Sequence, residues 1–159
     1  MHMQPSRSGS TSASGLSAAW SQVTVFASAV DASLGKWLMD AYRIGLTEYR
    51  ALAHLVQAPD KELRVNDLAQ KVGLDQSSTT RLVSRLESKG LAHRDVCPDD
   101  RRGVYAVITE QGEGLVQEAR GAYEERIREL LGDLAAHVPH LDPRQLDRTL
   151  RNIAELISP

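Results

Sequence analysis

Between Asp75 and Gly90 the chain reads Gln76-Ser77-Ser78-Thr79-Thr80-Arg81-Leu82-Val83-Ser84-Arg85-Leu86-Glu87-Ser88-Lys89. On a helix, at about 100° per residue, Thr79, Leu82, Val83 and Leu86 share one face. The opposite face carries Ser77, Arg81, Ser84 and Ser88, flanked by Ser78, Thr80 and Arg85. Small side chains let a helix approach the major groove of duplex DNA. Hydroxyls can bond to bases or phosphates, and arginine can pair bidentately with guanine or clamp a phosphate. From Gln76 to Arg94 there are four basic residues (Arg81, Arg85, Lys89, Arg94) against one acid, Glu87, on a chain whose formal net charge is -2. The competing reading of such a stretch is an ordinary solvated helix face. What precedes it argues otherwise. Leu68, Val72, Leu74 and Leu82 have the apolar spacing of a helix-turn-helix, and Ala69 is small where the two helices would cross. Gly73 supplies the positive φ that the turn requires.

A second basic feature follows. Asp99-Asp100-Arg101-Arg102 forms the charged turn between two strand-like segments, Leu91 to Val96 and Val104 to Ile108. Arginine on a narrow hairpin tip can enter the minor groove, whose negative potential rewards it, and a neighbouring carboxylate can hold the guanidinium in place. An isolated hairpin of this kind would read as a turn kept polar for solubility. Directly after a helix-turn-helix it reads as a wing.

Other reactive residues point nowhere in particular. Cys97 is the only cysteine, which excludes an internal disulfide and any zinc site of several thiolates. Arg101 and Arg102 would lower its pKa, while Asp99 and Asp100 oppose that. His137, His140 and Asp142 straddle Pro139, which breaks the spacing that a shared helical face would need, so no metal site is expected. Ser33-Leu34-Gly35-Lys36 matches Ser-x-x-Lys without its usual companion motifs. Ser77 and Ser78 have no base at a predictable distance, and there is no glycine-rich phosphate loop. No enzyme activity and no cofactor are expected.

The elements that must position these residues follow from periodicity. The 159 residues, 42% apolar and 25% charged, suit one globular domain with a dimerisation arm, and the charge balance excludes a histone-like polycation. Residues 1–15, rich in Ser and Gly, read as a disordered leader, without the apolar core of a secretory signal. The uncharged stretch from Ser8 to Val30 is too polar to span a bilayer, so a cytoplasmic protein without membrane contact is expected. Val23, Phe26, Val30, Leu34, Trp37, Leu38 and Ala41 mark a helix from Leu16 to about Ile44. Thr47 is a plausible N-cap for the next, which Pro59 ends. A short extended segment, Glu62 to Val65, leads to Asn66, an N-cap candidate. Asp75 caps the following helix and Gly90 closes it. Thr109 starts a long helix, and Asp142-Pro143-Arg144-Gln145 starts the last. The long end helices carry apolar stripes that so small a centre cannot cover, and a second copy of the chain is the simplest partner.

The stretch Leu74 to Leu91, followed by Asp100-Arg101-Arg102 and Ile108-Thr109-Glu110-Gln111-Gly112, resembles the multiple-antibiotic-resistance regulator (MarR) family. Asp100, Arg102, Ile108 and Thr109 fit that family's wing pattern. The resemblance spans residues 20 to 158 and is most specific from 65 to 112. It implies a mainly α fold with a small β-hairpin wing. The winged helix-turn-helix would occupy 47–112, with helices at 16–46 and 113–159 forming a dimerisation region. It implies a homodimeric, sequence-specific regulator of transcription on double-stranded DNA, expected to be a repressor on a pseudo-palindromic operator. Carried over, Ser77, Ser78, Thr80, Arg81 and Arg85 face the major groove and Gln76 lies at the helix entrance. Arg102 is the minor-groove arginine beside Arg101, with Asp100 orienting it. A winged helix that binds protein through the same basic face is the alternative.

The resemblance also implies a switch, either a small aromatic or phenolic effector or cysteine oxidation. Cys97 lies on the wing rather than in the first helix, where redox sensors of the family carry their thiol. Five of the seven aromatic residues precede residue 50. Trp20, Trp37 and Tyr49 are candidates to line a ligand cavity, and Arg50 or His54 to meet a ligand carboxylate. The competing reading is core and interface packing.

Overall fold

The computed structural model describes residues 15–96, 103–137 and 142–158. Among these residues six helices and three strands follow one another: α1 (Leu16–Tyr42), α2 (Leu46–Gln57), a 3-10 turn (Pro59–Lys61), β1 (Glu62–Arg64), α3 (Val65–Val72), α4 (Gln76–Ser88), β2 (Ala92–Val96), β3 (Val104–Ile108), α5 (Glu110–His137) and α6 (Pro143–Ile157). This is the winged helix-turn-helix expected from the sequence, mainly α with one small sheet. The leader as far as residue 14, Cys97, the turn residues Asp99, Asp100, Arg101 and Arg102, and His140 lie outside the described residues.

α2 runs through the centre. Its Ala51, Leu52 and Leu55 are buried against Leu68 of α3, Leu82, Val83 and Leu86 of α4, Ala106 and Ile108 of β3, and Val116 and Ala119 of α5. The periodicity that defined the helices therefore also defines the core. Thr79 joins the apolar face of α4 because its hydroxyl donates to the Asp75 carbonyl at 2.9 Å, leaving no unpaired donor inside.

Helices α3 and α4 end in the same way. Gly73 and Gly90 adopt φ of 71° and 72°, and the N–H that follows each reaches back, Leu74 to the Ala69 carbonyl at 3.0 Å and Leu91 to the Leu86 carbonyl at 2.9 Å. These two left-handed closures set the helix-turn-helix angle and the entry to the wing. The sheet has the order β1-β3-β2. β3 pairs antiparallel with β2 (Ala92 with Ile108) and with β1 (Leu63 with Ala106), so the short extended segment is the third strand of the wing sheet rather than a free linker.

Two helix starts differ from expectation. α2 begins at Leu46, and its entry is closed by the Glu48 carboxylate, which accepts from the Gly45 N–H at 2.9 Å, rather than by Thr47. α3 begins at Val65 without a side-chain cap, placing Asn66 inside the first turn. At α3 the burial of Val65 outweighs a good cap at Asn66.

The ends stand apart from the core. Leu34 and Leu38 of α1 are buried, but Leu16, Trp20 and Val23 are exposed, as are Leu150, Ile153, Leu156 and Ile157 of α6.

α5 is docked by close backbone approach. The Thr109 N–H donates to the Leu91 carbonyl at 3.0 Å, and the Thr109 hydroxyl donates to the Gly90 carbonyl at 2.7 Å while accepting from the Gly112 N–H at 3.1 Å. A Cβ on Gly112 would lie 2.2 Å from the Leu91 carbonyl oxygen, whereas one on Gly114 would meet nothing within 4 Å. Gly112→Ala should therefore cost about 1–3 kcal/mol in urea unfolding. Gly114→Ala, in open helix, should instead gain about 0.5–1 kcal/mol.

Candidate nucleic-acid interface

The outward face of α4 is built on Asp75. Its carboxylate Oδ1 accepts from the Ser78 N–H at 2.7 Å and from the Ser77 hydroxyl at 3.0 Å. Those bonds, the Ser78 N–H foremost, hold its carboxyl below the ordinary aspartate value, so the cap is ionised at neutral pH. Gln76, Ser77, Thr80, Arg81, Ser84, Arg85 and Ser88 are all exposed, and Ser78 is half-buried. Their hydroxyls are not idle. Thr80 donates to the Gln76 carbonyl at 2.9 Å, Ser84 to the Thr80 carbonyl at 3.1 Å and Ser88 to the Arg85 carbonyl at 2.9 Å. Arg81 reaches back to the Ser78 hydroxyl at 3.3 Å, leaving most of its guanidinium toward solvent.

Arg85 differs from its neighbours. Its Nε lies 3.4 Å from Oε1 of Glu48, and its side chain is 52% exposed. Glu48 also takes the Lys89 ammonium at 2.7 Å, and Lys89 bonds the Arg43 carbonyl at 3.1 Å. Burial alone would raise the Glu48 pKa. The Lys89 and Gly45 hydrogen bonds and the charges of Lys89 and Arg85 outweigh it and lower the pKa. This carboxylate is a site residue that the sequence reading missed. Its signal was present: Glu48 heads the buried stripe Glu48, Leu52, Leu55 at four- and three-residue steps, where an acid needs a partner. Arg94, counted only as local charge, was also missed. Its guanidinium lies against α4, bonding the Thr80 carbonyl at 3.0 Å and the Ser84 hydroxyl.

The candidate effector residues divide. Tyr49, Arg50 and His54 line one cleft of about 190 Å³ between α2 and α5, with Val116, Arg120 and Tyr123. Burial pushes the Tyr49 hydroxyl up to about 12 and, with the charge of Lys71, lowers the His54 pKa, so both are neutral at neutral pH. Arg50 is already gripped by Asp31 through two bonds of 2.8 and 3.1 Å. Trp37 does not line the cleft but lies with its ring 6.5 Å from that of Tyr123. Trp20 is 66% exposed near the start of α1 and is not brought to it. Lys36 of the Ser-x-x-Lys match pairs with Asp40 at 2.7 Å. Among the described residues no three His, Cys, Asp or Glu side chains converge as metal ligands, and no helix is long and apolar enough to cross a membrane.

Residues 44–103 match the model of the MarR family. The chain is similar to a MarR-family transcriptional regulator of Streptomyces coelicolor, Sco3205, whose structure is a complex with DNA. The two share 26% identity over 89% of this chain and 86% of that one, with a TM-score of 0.72. AbsC, a MarR-family transcriptional regulator of the same organism, is likewise 26% identical over 89% of this chain and 93% of its own, with a TM-score of 0.70. The fold is shared with BpsR of Bordetella bronchiseptica, a protein whose DNA binding is regulated by 6-hydroxynicotinic acid. BpsR is 17% identical over 88% of this chain and 93% of its own, with a TM-score of 0.69.

Removing the Glu48 carboxylate leaves the Gly45 N–H and the Lys89 ammonium without their buried acceptor. Glu48→Ala should cost about 1–3 kcal/mol in urea unfolding, and Glu48→Gln, which keeps an acceptor, less. Because the folded pKa is depressed, the contribution is full above the ordinary value of 4.5 and is lost as pH falls through the folded value. The acid limb of the stability profile should be shallower in Glu48→Gln than in the wild type.

Proposed function

We propose that this chain is a MarR-family regulator and works as a homodimer that inserts α4 of each protomer into successive major grooves of an operator. The observation that carries the reading is the two-sided α4. Its buried face is fixed into the core at Leu82, Val83 and Leu86, and its other face presents hydroxyls and guanidiniums to solvent. Gln76, Ser77, Ser78, Thr80, Arg81 and Arg85 are the major-groove residues. Arg102, oriented by Asp100 and flanked by Arg101, enters the adjoining minor groove. The apolar residues left exposed on α1 and α6 support assignment of residues 16–46 and 113–159 to dimerisation around DNA-binding domains at 47–112. The operator is then roughly palindromic, with half-sites about one helical turn apart, and occupancy of a promoter represses it.

The cleft between α2 and α5 is the effector site in this reading. Two guanidiniums, Arg50 and Arg120, stand beside the Tyr49 and Tyr123 rings, which suits a small aromatic acid, the class that regulates BpsR. The acid would compete with Asp31 for Arg50.

Selection of bound duplexes from random DNA tests the DNA reading directly. A symmetric consensus is expected, and binding that weakens steeply as salt rises. Arg81→Ala should relax choice at one base pair, at a cost of about 1–3 kcal/mol. Arg102→Ala should lose affinity chiefly on A·T-rich flanks. Failure to retain any duplex at low salt would favour the protein-binding alternative. For the effector, titration with salicylate-like acids should quench Trp37 through the adjoining Tyr123 and release DNA. Trp37→Phe should abolish the quenching, because Trp20 lies elsewhere.

A further inference from the structure

Arg94 lies in β2, two residues after the strand's last buried position and opposite Ala106 of β3, and its side chain turns to the recognition helix. Its backbone N–H donates to Glu87 Oε1 at 2.7 Å. Its guanidinium crosses to the Thr80 carbonyl at 3.0 Å and to the Ser84 hydroxyl, and lies 3.7 Å from the other Glu87 oxygen. Residues 80, 84 and 87 fall at four- and three-residue steps, one lengthwise stripe of α4. One residue of the strand is thus bonded at three positions along the helix, its backbone at Glu87 and its guanidinium a turn or two further up at Ser84 and Thr80, which fixes the direction of the strand against the helix. The buried alternative, apolar packing at Leu91 and Ala92, fixes only the root of the strand.

We propose that Arg94 is a positioning residue that makes α4 and the β2–β3 ribbon one rigid unit, setting the spacing between what the helix and the ribbon touch on DNA. This rests on the DNA-binding reading above. The chemistry of the side chain matters to it. A guanidinium presents several N–H donors in a planar fork and can serve the carbonyl and the hydroxyl together. A lysine ammonium at the end of a flexible stem carries the same charge without that geometry. Arg94 thus ties up Ser84, a hydroxyl that the sequence offered to the groove, and assigns it to holding the wing.

The test uses the full chain and two duplexes: one spanning the whole selected operator, the other trimmed of the base pairs beyond the reach of α4. Wild type should bind the long duplex about tenfold better than the trimmed one. Arg94→Ala and Arg94→Lys should each bind the two within about twofold of one another, at the level of wild type on the trimmed duplex. Arg94→Lys matching wild type on the long duplex would overturn the proposal, because charge alone would then suffice. So would an Arg94→Ala loss of equal factor on both duplexes, which marks a simple phosphate contact. Thermal unfolding identifies a variant that has lost its fold; should Arg94→Ala do so, Arg94→Lys decides alone. Wild type that binds neither duplex refutes the DNA-binding reading itself and is seen before any variant is made.

Discussion

A carboxylate taken out of water must be matched or it will not stay ionised, and Glu48 is such a carboxylate at the centre of this molecule. Its side chain is 6% exposed. The Gly45 N–H, the Lys89 ammonium and the Arg85 guanidinium converge on it from two different regions of the chain. Losing any one of them leaves the buried carboxylate less well matched. The corner between α1 and α2 is consequently bound to the far end of α4, and Lys89 extends the connection to the Arg43 carbonyl. α4 is held at its start by Asp75, along its back by Leu82, Val83 and Leu86, and at its end by this cluster. An outward face of small and basic side chains is useful only when its backbone has so little freedom.

What could be read from the sequence was what depends on neighbours along the chain. The two faces of α4, the Asp75 cap and the glycines at 73 and 90 are local decisions, and each stands where the residues place it. The contacts that cross the fold were harder to see. Nothing in Glu62-Leu63-Arg64 identifies β3 as its partner, because three extended residues carry no register of their own. Arg85 read as a free cation because its partner lies 37 residues upstream. Thr47 lost the helix start to Glu48 because one carboxylate serves both the N-terminus of α2 and the cations of α4, an economy visible only in three dimensions.

The same distinction explains the aromatic residues. Their concentration before residue 50 suggested a cavity, and position in sequence could not separate them. Tyr49 packs on Tyr123 with ring centroids 4.4 Å apart, Trp37 meets Tyr42 edge-on at 5.5 Å, and Trp20 meets solvent. α1 is long enough for its two ends to belong to different environments, one against the core and one beyond it. Arg50, read as a cation awaiting an anion, already has one in Asp31. A ligand acid at that position would be an exchange of partners rather than a new pairing.

The serines and threonines of α4 also set the polarity of its outward face. Each exposed hydroxyl of Thr80, Ser84 and Ser88 bonds a carbonyl of its own helix. A hydroxyl whose proton is spent on its own helix turns its lone pairs outward, so these positions present acceptors ahead of donors.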